Sequence, residues 1–393
     1  MNKAVIFGAG NIGRSFIGNI FASNGWEVTF IDANRELVDL LNSRGGYPIL
    51  IKKNGQPDKT LEVRGISAVH SSEYEMIMEK LCSCNICATS VGQGALKFVI
   101  PQLVEAVKKR QADGAATLDI IIAENIRNGA DYFRRVFREH GLTGEEAGLV
   151  ETSIGKMVPI MTTDDLASDP LLLHAEEYNS LILDEDGFTG KIPDFPEIKA
   201  VRNVAAWVDR KLFIHNLGHA AAAYFGYEAY PERRLIAEVI KDEAIKTRIR
   251  AAMSEAAAAL LAEYPKDFTR EALDEHIDDL LYRFGNSALG DTVFRVGRDL
   301  YRKLGRDDRI LGAAALCIKH QLPNSRILEV FRAALGFKAE DIAGNMFIDD
   351  IEFHSRLGII GEEIMLTTRL GLTKSDRELE TQIMKTLGEN TGS

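Results

Sequence analysis

The chain has 393 residues, 46% hydrophobic and 27% charged, with a net charge of −11. That length gives core enough for two domains of ordinary globular composition. The acidic balance excludes the basic stripe of a nucleic-acid surface, though not a local basic pocket for an anionic substrate. No apolar run approaches a membrane span, and the first one leads into a glycine loop instead of a signal-peptide cleavage site, so a cytoplasmic protein without membrane contact is expected.

Residues 3–7 read as a short buried strand ending at Phe7. Gly8-Ala-Gly-Asn-Ile-Gly13 follows at once, then a helical pattern over 12–23 and a second strand over 26–31 that ends at Asp32. Strand, G-x-G-x-x-G, helix, strand and acidic residue stand in the order of a dinucleotide-binding βαβ unit. Gly8 permits the tight turn, Gly10 lets backbone approach a pyrophosphate, and Gly13 lets the helix pack closely. Asn11, Ile12 and Arg14 open the helix, whose N–H groups favour phosphate. Arg14 either reaches the pyrophosphate or is a surface charge. Asp32 should bond the adenosine ribose and repel a 2′-phosphate, so the expected cofactor is NAD, not NADP.

Residues 34–43 read as a helix, and 47–69 as a β-hairpin inserted into the nucleotide fold. Of the four cysteines, Cys82, Cys84 and Cys87 cluster. The cluster has no partner set in sequence, and Cys87 reads as strand interior, so neither a disulfide scaffold nor a metal site is expected. The strand over 85–92 places Thr89, Ser90 and Val91 where a doubly wound sheet borders its cofactor. A helix over 97–109 and a strand over 119–122 bring Glu124 and Asn125 to a further strand end. After a helix over 130–140, a strand-like run over 149–159 puts Glu151 and Lys156 near the same edge. Residues 180–183 read as one more strand.

Two prolines in Lys191-Ile-Pro-Asp-Phe-Pro196 mark a linker. The expected organisation is an α/β Rossmann-like N-terminal domain with an inserted β-hairpin over residues 1–195, then a mostly α-helical C-terminal domain over 196–393. Within the latter, a helix over 201–224 carries Lys211, His215 and His219 on one stripe of roughly 80° at about 100° per residue, with Asn216 roughly 140° round from Lys211. One face could thus offer a base, an amide and imidazoles; the alternative is a core helix with two satisfied histidines. Gly218, unfavourable in a helix, should permit close approach by a ligand or another backbone. A helix over 292–304 groups Arg295, Arg298, Arg302 and Lys303 within an arc of roughly 140°, either as an anion site or as a solvated face paired with nearby aspartates.

Lys211, Asn216 and His219 fit the K-x4-N-x2-H signature of the polyol-specific long-chain dehydrogenases and reductases. Together with Val208-Asp-Arg-Lys-Leu-Phe213, the Phe7-to-Arg14 loop and Asp291-Thr-Val-Phe-Arg-Val-Gly-Arg298, they make the chain resemble that family, and within it the mannitol-1-phosphate 5-dehydrogenases, over nearly its whole length. The resemblance implies metal-independent, NAD-dependent interconversion of D-mannitol 1-phosphate and D-fructose 6-phosphate by a monomer. It implies Lys211 as general acid/base, Asn216 and Asn125 as donors to the reacting oxygen, and His219 as an orienter of substrate hydroxyls. Glu151 corresponds to an acidic residue that relays protons or holds substrate, although Val-Glu-Thr stands here for the common Val-Asp-Arg. Arg295 and Lys303 match the R-x7-K pair that holds substrate, and Arg298 is a candidate phosphate contact. Residues alone are consistent with this chemistry. Oxidising an alcohol needs a base and oxyanion donors, and burial can lower a lysine into the working range.

Three competing readings remain. His215 and His219 have the H-x3-H spacing of a zinc helix, but without the usual glutamate or an evident third ligand. A hexuronate or an unphosphorylated polyol could be the substrate. A non-catalytic NAD-binding sensor would leave the signature triad without purpose.

Overall fold

The computed structural model describes residues 2–159, 161 and 163–388. The chain divides into two compact units, Met1–Val208 and Asp209–Ser393.

In the first unit the strands are, in chain order, Lys3–Phe7 (β1), Glu27–Asp32 (β2), Gly46–Lys52 (β3), Lys59–Arg64 (β4), Ile66–His70 (β5), Ile86–Thr89 (β6), Leu118–Ile122 (β7), Ala147–Ile154 (β8), Leu173–Glu176 (β9), Leu181–Asp184 (β10) and Ile198–Val201 (β11). Eight of them form one sheet in the order β11-β10-β8-β7-β6-β1-β2-β5. Pairing is parallel except between β10 and β8. Side-chain alternation gives the sheet two cores: Ala4 and Ile6 point into one, Val5 and Phe7 into the other. This explains why its central strands are apolar throughout, as parallel strands covered on both faces are. The chain leaves β1 first toward β2 and later returns on its other side at β6, so the switch point where such sheets bind ligands lies between the C-terminal ends of β1 and β6.

The expected hairpin is β3 with β4, paired antiparallel, but β9 joins it parallel to β3 and makes a separate three-stranded sheet. Pattern reading missed β5, β9 and the helix Tyr74–Ser83, and it extended β8 past Ile154. The helix after β2, Arg35–Arg44, is capped by the Asn34 side chain on Leu37 N and ends at left-handed Gly45. The units part later than residue 195 because β11 pairs with β10 and belongs to the sheet.

The second unit is helical. The helix expected over 201–224 runs as Val204–Arg210, a π-helical turn Lys211–Asn216, and Leu217–Ala229. Its last segment is buried from Ala220 to Phe225 and packs on the long helix Glu243–Glu263. Gly218 admits a side chain, not a backbone: a Cβ there would collide with Met253 on that neighbour. The helix expected over 292–304 is broken into Val293–Gly297 and Leu300–Lys303, with Arg298 extended and Asp299 left-handed at φ 75°. The break is held by the buried Asp350 carboxylate, which accepts from the N–H groups of Asp299 and Leu300. Gly297 supports it from the other side, since a Cβ there would collide with the Phe337 ring. Among the described residues no helix is long and apolar enough to cross a membrane.

Candidate functional site

The glycine loop leaves β1 with Gly8 at φ 96°, a conformation side chains rarely adopt, and with Gly8 N bonded to Ile31 O at 2.8 Å. A Cβ on Gly8 would strike the Ser90 carbonyl, and one on Gly13 would strike the Gly8 carbonyl. Gly10 has nothing within 4 Å of its Cβ position. Two glycines thus close the turn and the third leaves backbone open, which is the arrangement a pyrophosphate requires. A cleft of about 410 Å³ adjoins them, lined among others by Phe7, Gly8, Gly10, Asp32, Ser90 and Val91. Asn11 and Ile12 are half-buried at the start of the helix. A dinucleotide phosphate fits this cradle on geometry alone.

The polar residues around the cleft do more bracing than the pattern suggested. Asp32, at the tip of β2, accepts from Ala9 N at 2.7 Å and Asn34 N at 2.9 Å, so it fixes the glycine loop as well as facing the cleft. Glu124 is buried and accepts from Val91 N and Gly92 N, both at 2.8 Å, which holds the β6 loop that borders the cleft. Burial pushes its carboxyl up, and the backbone bonds pull it back. Thr89 is fully buried beneath it. Arg14 is neither of the two things expected of it. It is buried, its Nε donates to Ala9 O at 2.6 Å and one terminal nitrogen to Leu171 O at 2.9 Å. Tyr47 Oη donates to the Arg14 carbonyl, so this residue ties the glycine loop to the small sheet.

Beyond β7, Asn125 is exposed, on the side of the sheet where ligands bind. Glu151 is half-buried on β8 and accepts from Ala130 N at the start of the helix Gly129–Glu139; burial raises its pKa. Lys156 lies past the strand, buried, with Nζ donating to Tyr178 O at 2.8 Å and Asn179 Oδ1 at 3.0 Å. Two of its hydrogen bonds thus go to its own loop.

In the second unit the π turn changes the geometry of the signature. Hydrogen bonds there run five residues back, so residues five apart approach the same line along the axis. Asn216 therefore comes round toward Lys211 instead of diverging by roughly 140° as in an α-helix. Burial lowers the Lys211 amine to about 8, and the charges of Arg309 and Arg302 act in the same direction against the opposing Asp308. His219 stacks on Phe284 with ring centroids 4.8 Å apart and planes at 9°. Its pKa falls to about 3, first from burial and then from Arg295, Lys303, Arg309 and Arg283. His215 is likewise held neutral, well below its usual value, mainly by burial.

The basic arc does not survive the break in its helix. Lys303 is buried and donates to the carbonyls of Val296 and, at the broken turn, Arg298. Arg295 pairs with Asp291 and Arg302 with Asp299. Arg298 lies over the rings of Phe294 and Phe347, 5.4 and 5.3 Å from their centroids, with no carboxylate partner among the described residues. Of the cluster, then, Lys303 is a structural ammonium and Arg298 is the cation left to meet an anion. Sequence reasoning missed Phe284 and Arg309, and gave Asp291 and Asp308 no part in the site. The Arg306-Asp-Asp-Arg309 run was a visible charge cluster, but its proximity to Lys211 is tertiary.

Two family models match the chain. One, described as the mannitol dehydrogenase Rossmann domain, covers residues 2–197, and the other, the mannitol dehydrogenase C-terminal domain, covers residues 203–370. Among solved structures, Pseudomonas fluorescens mannitol 2-dehydrogenase, in ternary complex with NAD and D-mannitol, superposes with a TM-score of 0.77 at 16% identity, over 100% of this chain and 92% of that one. A substrate-free D-sorbitol dehydrogenase gives 0.77 at 15% identity, over 99% and 93%. At such identities the likeness to these structures is one of fold.

Proposed function

We propose, from the premise that the chain belongs to the mannitol dehydrogenase family, that it catalyses the reversible NAD-dependent oxidation of D-mannitol 1-phosphate to D-fructose 6-phosphate. NAD, when held by the glycine loop and Asp32, would supply the hydride acceptor for oxidation of the carbinol. The chain's own groups manage the proton and the charge. Lys211 takes the hydroxyl proton: an amine at about 8 is part neutral near physiological pH and remains a competent acid for the reverse direction. The Asn216 amide, brought toward Lys211 by the π turn, donates to the oxygen as it gains charge, and Asn125 is the corresponding amide of the first unit. Neutral His219 positions a substrate hydroxyl. In this division of labour the first unit, Met1–Val208, holds the cofactor and the second, Asp209–Ser393, carries the acid/base.

The observation that carries the reading is Lys211 itself, a lysine lowered to about 8 inside a π turn that also presents Asn216. Such turns recur at functional sites. Arg298, seated between two aromatic faces without a carboxylate, supports the phosphate. A substrate panel with NAD tests the reading. Mannitol 1-phosphate should give the highest kcat/KM, followed by NADH absorbance, over mannitol, sorbitol and hexuronates. Equal efficiency with unphosphorylated mannitol would overturn the phosphate assignment and leave the family-level chemistry standing.

A further inference from the structure

Asp291 stands two residues before the helix Val293–Gly297, ahead of its capping Thr292, and is buried. Its backbone is pinned. Its carbonyl accepts from Ile236 N at 2.9 Å, and its neighbour Thr292 forms an antiparallel bridge with Leu235. The carboxylate is shared between two side chains. One oxygen meets the Arg295 guanidinium, and the other, Oδ2, lies 3.1 Å from His219 Nε2. His219 positions a substrate hydroxyl in the reading above, the family resemblance assigns Arg295 to substrate as well, and Asp291 has no part in either.

The ring nitrogen decides what this contact means. Nε2 of His219 is buried and completes no hydrogen bond, Asp291 Oδ2 being its near neighbour at 3.1 Å, while the side chain as a whole is 18% exposed. The accessible edge of the ring is therefore not the Nε2 corner. A bare Nε2 lone pair facing a carboxylate oxygen at 3.1 Å would be repulsive, and a buried N–H without an acceptor would be destabilising. A proton on Nε2 makes that contact attractive instead of repulsive, although the ring N–H is not in line with Oδ2 as the groups stand. Phe284, stacked flat on the imidazole, stops the ring from turning out of that position.

We propose that Asp291 is a positioning residue that fixes His219 in its Nε2–H tautomer, so that Nδ1 is left as an acceptor for a substrate hydroxyl, and that the same carboxylate sets the Arg295 guanidinium beside it. This rests on the polyol reading of the site for the identity of the hydroxyl, but the tautomer is a property of the protein alone. A hydroxyl that donates to Nδ1 is oriented with its oxygen lone pairs outward, toward donors such as Arg295. The Nδ1–H tautomer would present a donor there and reverse the preferred orientation.

The isosteric variant Asp291→Asn makes the inference testable, because Arg295 can only donate. Its guanidinium draws the new amide oxygen, which turns the amide nitrogen toward His219. Nε2 must then accept, and the ring is driven into the Nδ1–H form. Nitrogen-15 NMR of histidine-labelled protein, with the His219 signals identified by their loss in His219→Gln, reads this directly. The native protein should show a protonated Nε2 and a bare Nδ1, and Asp291→Asn should show the reverse. The variant's kcat/KM for mannitol 1-phosphate should fall about tenfold to a hundredfold, as for the loss of one hydrogen bond to a charged group, with NADH affinity unchanged. Asp291→Glu should restore the native tautomer and part of the efficiency. A native His219 protonated on Nδ1, or the same tautomer in native and Asp291→Asn, overturns the proposal whether or not any variant is active. If the tautomers switch as stated while mannitol 1-phosphate is not turned over, the positioning role holds and the substrate assignment falls.

Discussion

Among the described residues the chain contains a π turn in each unit, and the two treat buried charge in opposite ways. In Gly13–Gly18 the cation is Arg14, buried yet bonded to the carbonyls of Ala9 and Leu171. In Lys211–Asn216 it is Lys211, desolvated beside the like charges of Arg309 and Arg302. A guanidinium stays charged almost anywhere and its planar fork suits fixed carbonyls, whereas an ammonium gives up its proton readily when buried. The same backbone device thus frames a brace in the cofactor unit and a reactive group in the helical unit. Which residue type occupies the turn decides which it is.

The comparison breaks first if Lys211 proves to be a brace too. Lys211→Ala should lower turnover by about 10²–10⁴-fold, the usual contribution of a general base, with NADH binding retained. In the native protein alcohol oxidation should rise with pH through about 8 as the amine loses its proton, and that limb should be missing in the variant. Near-native turnover with the limb intact would move the proton to Glu151. Stability gives a second reading. A lysine whose folded pKa is lowered from 10.5 to about 8 holds fewer protons folded than unfolded in that window, so its ionisation penalty is fully present below pH 8 and fades as pH approaches 10.5. Lys211→Met should therefore melt higher than the native protein at pH 7, with the difference shrinking as pH rises. A difference independent of pH would contradict the shift.

The next largest effect concerns Asp32. Asp32→Ala would remove the charge and the bonds to Ala9 N and Asn34 N together. Asp32→Asn keeps an acceptor at the loop and removes the charge, so it isolates cofactor choice. Efficiency with NAD should fall about tenfold to a hundredfold, while efficiency with NADP holds or rises as repulsion of the 2′-phosphate disappears. Equal use of both cofactors by the native protein would remove Asp32 from that role.

Arg298 and Lys303 were grouped by sequence spacing and separate in the structure. Arg298→Met should raise KM for the sugar phosphate by about tenfold to a hundredfold with little change in melting. Lys303→Met leaves the carbonyls of Val296 and Arg298 without their donor, so it should lower Tm and disturb KM only through the displaced Arg298 turn. A pure KM effect in Lys303→Met would restore the original R-x7-K reading.

What was legible in the chain was whatever depends on local pattern. Strand, glycine loop and acidic strand end are contiguous, so their reading stood, down to Gly10 as the open glycine. Helical periodicity placed Lys211 and His219 but assumed 100° per residue throughout, and a π turn leaves no mark in hydrophobic spacing. The break at Arg298–Asp299 was hidden for another reason: it is imposed by Asp350, fifty-one residues on from Asp299, and by Phe337 against Gly297. Gly218 was noticed as unusual, yet the Met253 side chain that requires it belongs to another helix. Asp291 opened the motif that runs to Arg298 but was given no role, because its two contacts exist only in the folded unit.

The smallest effect expected is at Arg14, and it is the sharpest test of the brace. If the guanidinium held the pyrophosphate, Arg14→Met would raise the NADH Kd about tenfold to a hundredfold. As a brace it should do otherwise. Removing it leaves the carbonyls of Ala9 and Leu171 unpaired inside the unit, a penalty of about 1–3 kcal/mol, which at about 2–4 °C per kcal/mol for a unit of this size should lower the Tm of that unit by several degrees. The loop would still be held by Gly8 N on Ile31 O, Ser90 N on Phe7 O and Asp32 on Ala9 N. NADH affinity, measured by fluorescence titration well below the melting range, should then move by less than about threefold, under 1 kcal/mol. A large loss of affinity without a change in Tm would turn Arg14 from brace to ligand, and with it the contrast between the two turns would fail on the cofactor side.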